Sequence, residues 1–127
     1  MMQGELPVVA AIQGAAIGGG LGLALTADFR VAAPEARFSA NFARLGFHHG
    51  FGLTVTLPEL VGGQAAMNLL LTGRRIKADE ALTLGLCDEI VKLGGLRNRA
   101  RSLADEIALS GPLSIRAIRR TMRQGLV

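Results

Sequence analysis

The chain of 127 residues has no tryptophan, no tyrosine, one cysteine, four prolines and only 19% charged residues. Each scarcity excludes something. A single cysteine forms no internal disulfide and no multi-thiolate zinc site; Cys87, in the apolar setting LGLCDEI, reads as a buried free thiol of a reducing compartment, so a cytoplasmic protein is expected. With five phenylalanines as its only aromatics, the chain lacks the exposed stacking residues of a nucleic-acid platform, and no nucleic-acid partner is expected. Few prolines with 50% apolar residues exclude a disordered or collagen-like chain. What remains to fill a core is Leu, Ile, Val, Phe and small residues. Seventeen glycines suit close backbone approach to a helix, a subunit or a ligand.

The net charge of +4 is unevenly distributed. Residues 1–96 hold 7 basic against 8 acidic side chains, net −1, whereas residues 97–127 hold 7 arginines against Asp105 and Glu106, net +5. Arg116, Arg119, Arg120 and Arg123 recur at helical spacing opposite Ile115, Ile118 and Met122. Such a face can be solvated or subunit-facing, or contact a phosphorylated small molecule, or touch nucleic acid; the first is the ordinary reading.

Residues 7–27 carry no charge, long enough for a membrane span. The pattern within them argues against one: Val8, Val9 and Ile12 favour a strand, Gly14 and Gly18-Gly19-Gly20 interrupt it, and Leu21, Leu23 and Leu25 resume with another period. A buried strand, a turn and a buried helix are expected, with no membrane span. Further strands are expected over 28–33, 36–40 and 87–91, and helices over 53–60, 65–71, 78–84, 96–109 and from Pro112 to about residue 123. Met67 and Met122 read as core residues. The order is mixed α/β.

Side-chain chemistry is thin. His48 and His49, in GFHHGFG, are the only histidines; each can be a loop or interface residue, a ligand contact or an acid–base group, and no acidic residue joins them at metal-site spacing. Asp28 reads as a cap or ion-pair partner. Ser39 and Ser110 have no base beside them in sequence. The glycine triplet entering a helix has two readings, close helix packing or backbone N–H groups aimed at an anion or oxyanion.

Taken together, PVVAAIQGAAIGGGLGLALTAD, LPELVG and LLLTGRRIKADEALTLGL resemble the central and later part of the enoyl-CoA hydratase/isomerase (crotonase) family, from about Leu6 onward and truncated at the N-terminus. The resemblance implies an α/β fold, a partial crotonase-like β-β-α spiral over residues 1–94 followed by C-terminal helices over 95–127, assembled as a homo-oligomer, trimer or hexamer. It implies acyl-CoA thioesters as ligands, coenzyme A being part of the substrate, with no separate cofactor and no metal. Gly19 matches the residue whose N–H is one of two oxyanion donors, the other coming from an earlier segment. Gly18, Asn41, Phe42 and His48 are then substrate-binding candidates, and His49 a catalytic one beside Gly19. Two positions depart from the hydratase pattern: Gly22 stands where a glutamate follows the triplet, and Phe42 where the second glutamate falls. Neither can activate water. The expected function is acyl-CoA binding or turnover through a backbone oxyanion site; the alternatives are a non-catalytic binding or assembly piece, and an isomerase, decarboxylase or thioester hydrolase using His49.

Overall fold

The computed structural model describes residues 6–46, 48 and 52–123. The chain runs β1 (Val9–Ile12), β2 (Ala15–Ile17), α1 (Gly19–Ala24), β3 (Phe29–Ala32), β4 (Arg37–Ser39), a 3-10 turn (Ala43–Leu45), α2 (Leu53–Val61), α3 (Gly63–Thr72), β5 (Ile76–Lys77), α4 (Ala78–Leu84), β6 (Glu89–Ile90), α5 (Leu93–Ala108) and α6 (Pro112–Arg123). The first four strands alternate between two sheets. One sheet has the order β1-β3-β6 and the other β2-β4-β5. Val9 lies beside Phe29 and Ala15 beside Arg37, both pairs parallel, so each β-β unit repeats the path of the one before it. The corner between β3 and β4 passes through Pro34 and closes with the Ala36 N–H on the Ala33 carbonyl at 2.9 Å. This is the α/β spiral of β-β-α units followed by C-terminal helices.

Central position explains the composition of β3. It is paired on both edges and covered by helices, and Val31, Ala32 and Ala33 are completely buried. Alanine there lets α5 approach closely, with Leu96 and Leu103 packing near Val31 and Ala33. The main core lies between the helices and the second sheet, around Leu21, Leu25, Phe38, Leu53, Leu57, Ile76 and Leu86. Cys87 belongs to it as a free thiol, and burial together with Asp88 pushes its pKa up to about 11 despite the opposing Arg30, so it is held protonated.

Two strands escape the sequence pattern. β2 is an alanine-rich three-residue piece and β5 only two residues, formed because neighbouring strands offer them hydrogen bonds rather than by propensity. Pro58 sits inside α2 and ends no helix. α5 begins at Leu93, three residues before the expected start. Among the described residues no helix is long and apolar enough to cross a membrane.

The orientation of α6 is the main correction. Its expected outward arginine face points inward at Arg119, which is 8% exposed, while Ile118 and Met122 are 63% and 75% exposed. Met67 is likewise exposed, not core. The cause is Asp28 at the entrance of β3, whose carboxylate accepts from the Arg119 Nε at 2.9 Å, from Arg123 and from the Val8 N–H at 2.7 Å. A half-buried carboxylate is costly without cations, and two arginines one helical turn apart supply them. Asp28 is thus an ion-pair partner, as its position suggested. Burial pushes its pKa up, but the bonds from Arg119, the Val8 N–H and Arg123 outweigh this and hold it below the ordinary value.

Candidate functional site

Strand β2 is followed by Gly18, which adopts φ 56°, ψ −118°, a combination that only glycine takes up readily. Its N–H still bonds to the Ser39 carbonyl at 2.8 Å, extending the β2–β4 pairing, and its carbonyl accepts the Gly22 N–H at 3.1 Å as the first bond of α1. The backbone therefore reverses sharply between a fixed strand and a fixed helix. No side chain caps α1, so the amides of its first turn, beginning with Gly19, lie outside the helical ladder. A Cβ on Gly20 would meet nothing within 4 Å, so this side of the turn is open. Gly22, one turn on, is buried.

The opposite wall comes from the chain leaving β4. A Cβ placed on Gly18 would lie 3.1 Å from the Asn41 Oδ1 and 3.7 Å from the Phe42 Cζ. Gly18, Gly19, Asn41 and Phe42 are therefore brought together, as a small polar amide and an aromatic ring facing an uncapped turn. Phe42 also packs on the edge of the main core, which fixes its ring as an apolar wall. His48 is exposed, and His49 lies outside the described residues; among the described residues, the groups brought to the turn are backbone, the Asn41 amide and the Phe42 ring. Among the described residues no three of His, Cys, Asp and Glu come together as a metal site would require.

The segment carrying Asn41 and Phe42 is pinned from below. Arg44 donates from Nε to the Thr72 carbonyl at 2.6 Å, and the buried Ser39 hydroxyl donates to the Gly73 carbonyl at 2.9 Å. Sequence reasoning considered Ser39 only as a nucleophile and missed this role. The available signal was Gly73, the residue that closes α3 in LLLTG, here in a left-handed conformation at φ 61°.

A family model described as enoyl-CoA hydratase/isomerase matches residues 1–126. The chain belongs to the enoyl-CoA hydratase/isomerase family. It is 38% identical over 122 residues to the short-chain-enoyl-CoA hydratase of Clostridium acetobutylicum, covering 96% of this chain and 47% of that relative. Over 122 residues it is 40% identical to the crotonyl-CoA hydratase of Syntrophomonas wolfei, with the same two coverages. The crystal structure of an enoyl-CoA hydratase from Bacillus anthracis superposes with a TM-score of 0.95 at 39% identity, over 98% of this chain and 48% of the other. A probable enoyl-CoA hydratase/isomerase from Mycobacterium abscessus gives 0.94 at 39% identity, again over 98% and 48%. The chain thus spans about half the length of these relatives. The crotonase-like identity of the spiral accounts for the two parallel β-β repeats and for the tight turn at the glycine triplet lying between them.

Proposed function

We propose that this chain binds acyl-CoA thioesters and that the Gly19 backbone N–H is a donor to the thioester oxygen. The observation that carries this is the uncapped start of α1 directly after Gly18 at φ 56°, ψ −118°, open on the Gly20 side and walled by Asn41 and Phe42. A backbone donor suits this chemistry because it cannot rotate away as negative charge builds on the oxygen. Each such donor, well aimed, contributes about 2.7–4 kcal/mol to an enolate-like transition state. A second donor, from outside the segment described, completes the hole in this reading. Gly22 and Phe42 hold the places where the hydratase pattern has glutamates, and neither can move a proton to or from water. The role assigned to this chain by itself is binding and carbonyl polarisation without hydration.

Titration calorimetry with crotonyl-CoA, alongside the absorbance of the enoyl thioester, tests this. The parent is expected to bind without bleaching the chromophore, and Gly19→Val to bind about tenfold more weakly, the loss of one hydrogen bond. Equal affinity of the two proteins would remove Gly19 from the site. Chromophore loss by the parent that vanishes in Gly19→Val would overturn the absence of hydration.

The supporting feature for an assembled state is the position of β1 and β2, which among the described residues are the terminal strands of their sheets. Exposed Leu113, Ile118 and Met122 on α6 add apolar surface of the kind that subunits cover. A homo-oligomer, trimeric or a pair of trimers, is the expected form. Light scattering on a sizing column should give a multiple of the 13.3 kDa chain mass; a single chain mass across the micromolar range would contradict it.

A further inference from the structure

We propose that Ser39 is a positioning residue for the Gly18-Gly19 turn, and that it works by tying that turn to the end of α3. The proposal rests on the oxyanion reading above for its functional meaning, but its geometry stands independently. Ser39 is 5% exposed and is engaged at both ends. Its hydroxyl donates to the Gly73 carbonyl at 2.9 Å, and its own carbonyl accepts the Gly18 N–H at 2.8 Å. A line of two hydrogen bonds therefore runs from the last turn of α3, through one residue of β4, to the residue whose backbone angles aim the Gly19 amide.

A second connection closes the same circuit. Gly73 is buried, and a Cβ there would lie 2.9 Å from the Arg44 Cγ, 3.2 Å from its Cδ and 3.3 Å from the Asn41 Cα. Arg44 is laid over Gly73 by its bond to the Thr72 carbonyl at 2.6 Å. Asn41, on the other flank, reaches back to Gly18. The α3 terminus is thereby gripped by Ser39 from inside the fold and by Arg44 from its surface, and the Ser39 grip continues to Gly18 through the Ser39 carbonyl. A strand-edge hydrogen bond alone would leave the Gly18 turn free to rock about β2. Fastening β4 to α3 through a buried hydroxyl removes that freedom, which is what a fixed donor needs.

Ser39→Ala removes the hydroxyl and leaves the β2–β4 bond in place. Amide hydrogen exchange in the ligand-free chain should show the Gly18 N–H exchanging about five- to tenfold faster, the worth of one hydrogen bond, with amides of β3 unchanged. With crotonyl-CoA carrying a 13C label at the thioester, the red shift of the bound carbonyl stretch should shrink while coenzyme A affinity changes less than twofold. Unchanged Gly18 exchange, or an equal acceleration in β3, would overturn the proposal, as would a carbonyl shift identical to the parent's. If the parent shows no carbonyl shift at all, the oxyanion reading fails while the exchange measurement still judges Ser39. Should Ser39→Ala not fold, Arg44→Ala decides, because the side chain is on the surface: faster exchange confined to Gly18 and its neighbours is expected, and no change there overturns the coupling.

Discussion

Asp28→Ala is expected to destabilise the protein by about 3–5 kcal/mol, read as a lowered urea midpoint with the slope unchanged. The side chains of Asp28, Arg119 and Arg123 are 14%, 8% and 13% exposed, so removing the carboxylate leaves two guanidinium groups mostly buried without their counter-ion. It also removes the acceptor of the Val8 N–H at the entrance to β1. Against a total stability of about 5–15 kcal/mol this is a large share, and the loss should begin with release of α6. Arg119→Ala alone should cost less, since Arg123 still pairs with Asp28. If Asp28→Ala shifts the midpoint by less than about 1 kcal/mol, the inward face of α6 is not held by these pairs.

The same group sets a pH dependence of definite sign. Its folded pKa lies below the ordinary carboxylate value, so the unfolded chain binds its proton more readily. The stabilisation is therefore complete above the unfolded pKa of about 4 and is lost as pH falls through the lower folded value. Glu80 and Glu89, paired with Arg74 and Arg99, are lowered in the same direction by those hydrogen bonds but lie at the surface. Comparing the parent with Asp28→Asn isolates the buried contribution: the variant should lose less stability between pH 5 and pH 3.

Gly85→Ala should rank second, at about 3 kcal/mol. Gly85 ends α4 at φ 96°, ψ 11°, with its N–H on the Ala81 carbonyl at 3.0 Å and the Leu86 N–H on the same carbonyl at 2.8 Å. A left-handed conformation costs alanine about 1–2 kcal/mol anywhere. Here a Cβ would also lie 2.6 Å from the Leu60 carbonyl oxygen, a backbone atom of α2 that cannot swing aside. Gly46→Ala provides the comparison: φ 79°, ψ 18°, but no atom within 4 Å of the added carbon. Thermal or urea unfolding should show Gly85→Ala clearly worse than Gly46→Ala, and equal losses would mean that the α2–α4 contact yields without cost.

Some of this was readable from residue order. Glycines at 18–20 between β-branched residues and a leucine run announce a strand, a reversal and a helix, because only glycine enters such a reversal without steric cost. Pro112 announced the first turn of α6, since its missing N–H is one that a helix start does not use. The Asn41 and Phe42 side of the candidate site came from resemblance, not from periodicity. Ser39 was invisible as a positioning residue because its partner, Gly73, is 34 positions away. The α6 pattern misled for a related reason. Apolar periodicity locates two faces of a helix but says nothing about a distant carboxylate waiting for cations, and Asp28 is 91 residues from Arg119.

By itself, then, the amino-acid order determined the α/β class, the glycine reversal ahead of α1, the thiol kept in the core and the absence of side-chain carboxylates at positions 22 and 42. Those are properties of local backbone sterics and of residue identity, which need no neighbours. Only the tertiary structure decided that β1 and β2 enter separate sheets, that α6 turns Arg119 and Arg123 inward onto Asp28, and that Ser39 joins α3 to Gly18. Each of these depends on which groups meet across tens of residues, where desolvating a charge or a carbonyl without a partner costs more than any local preference can repay.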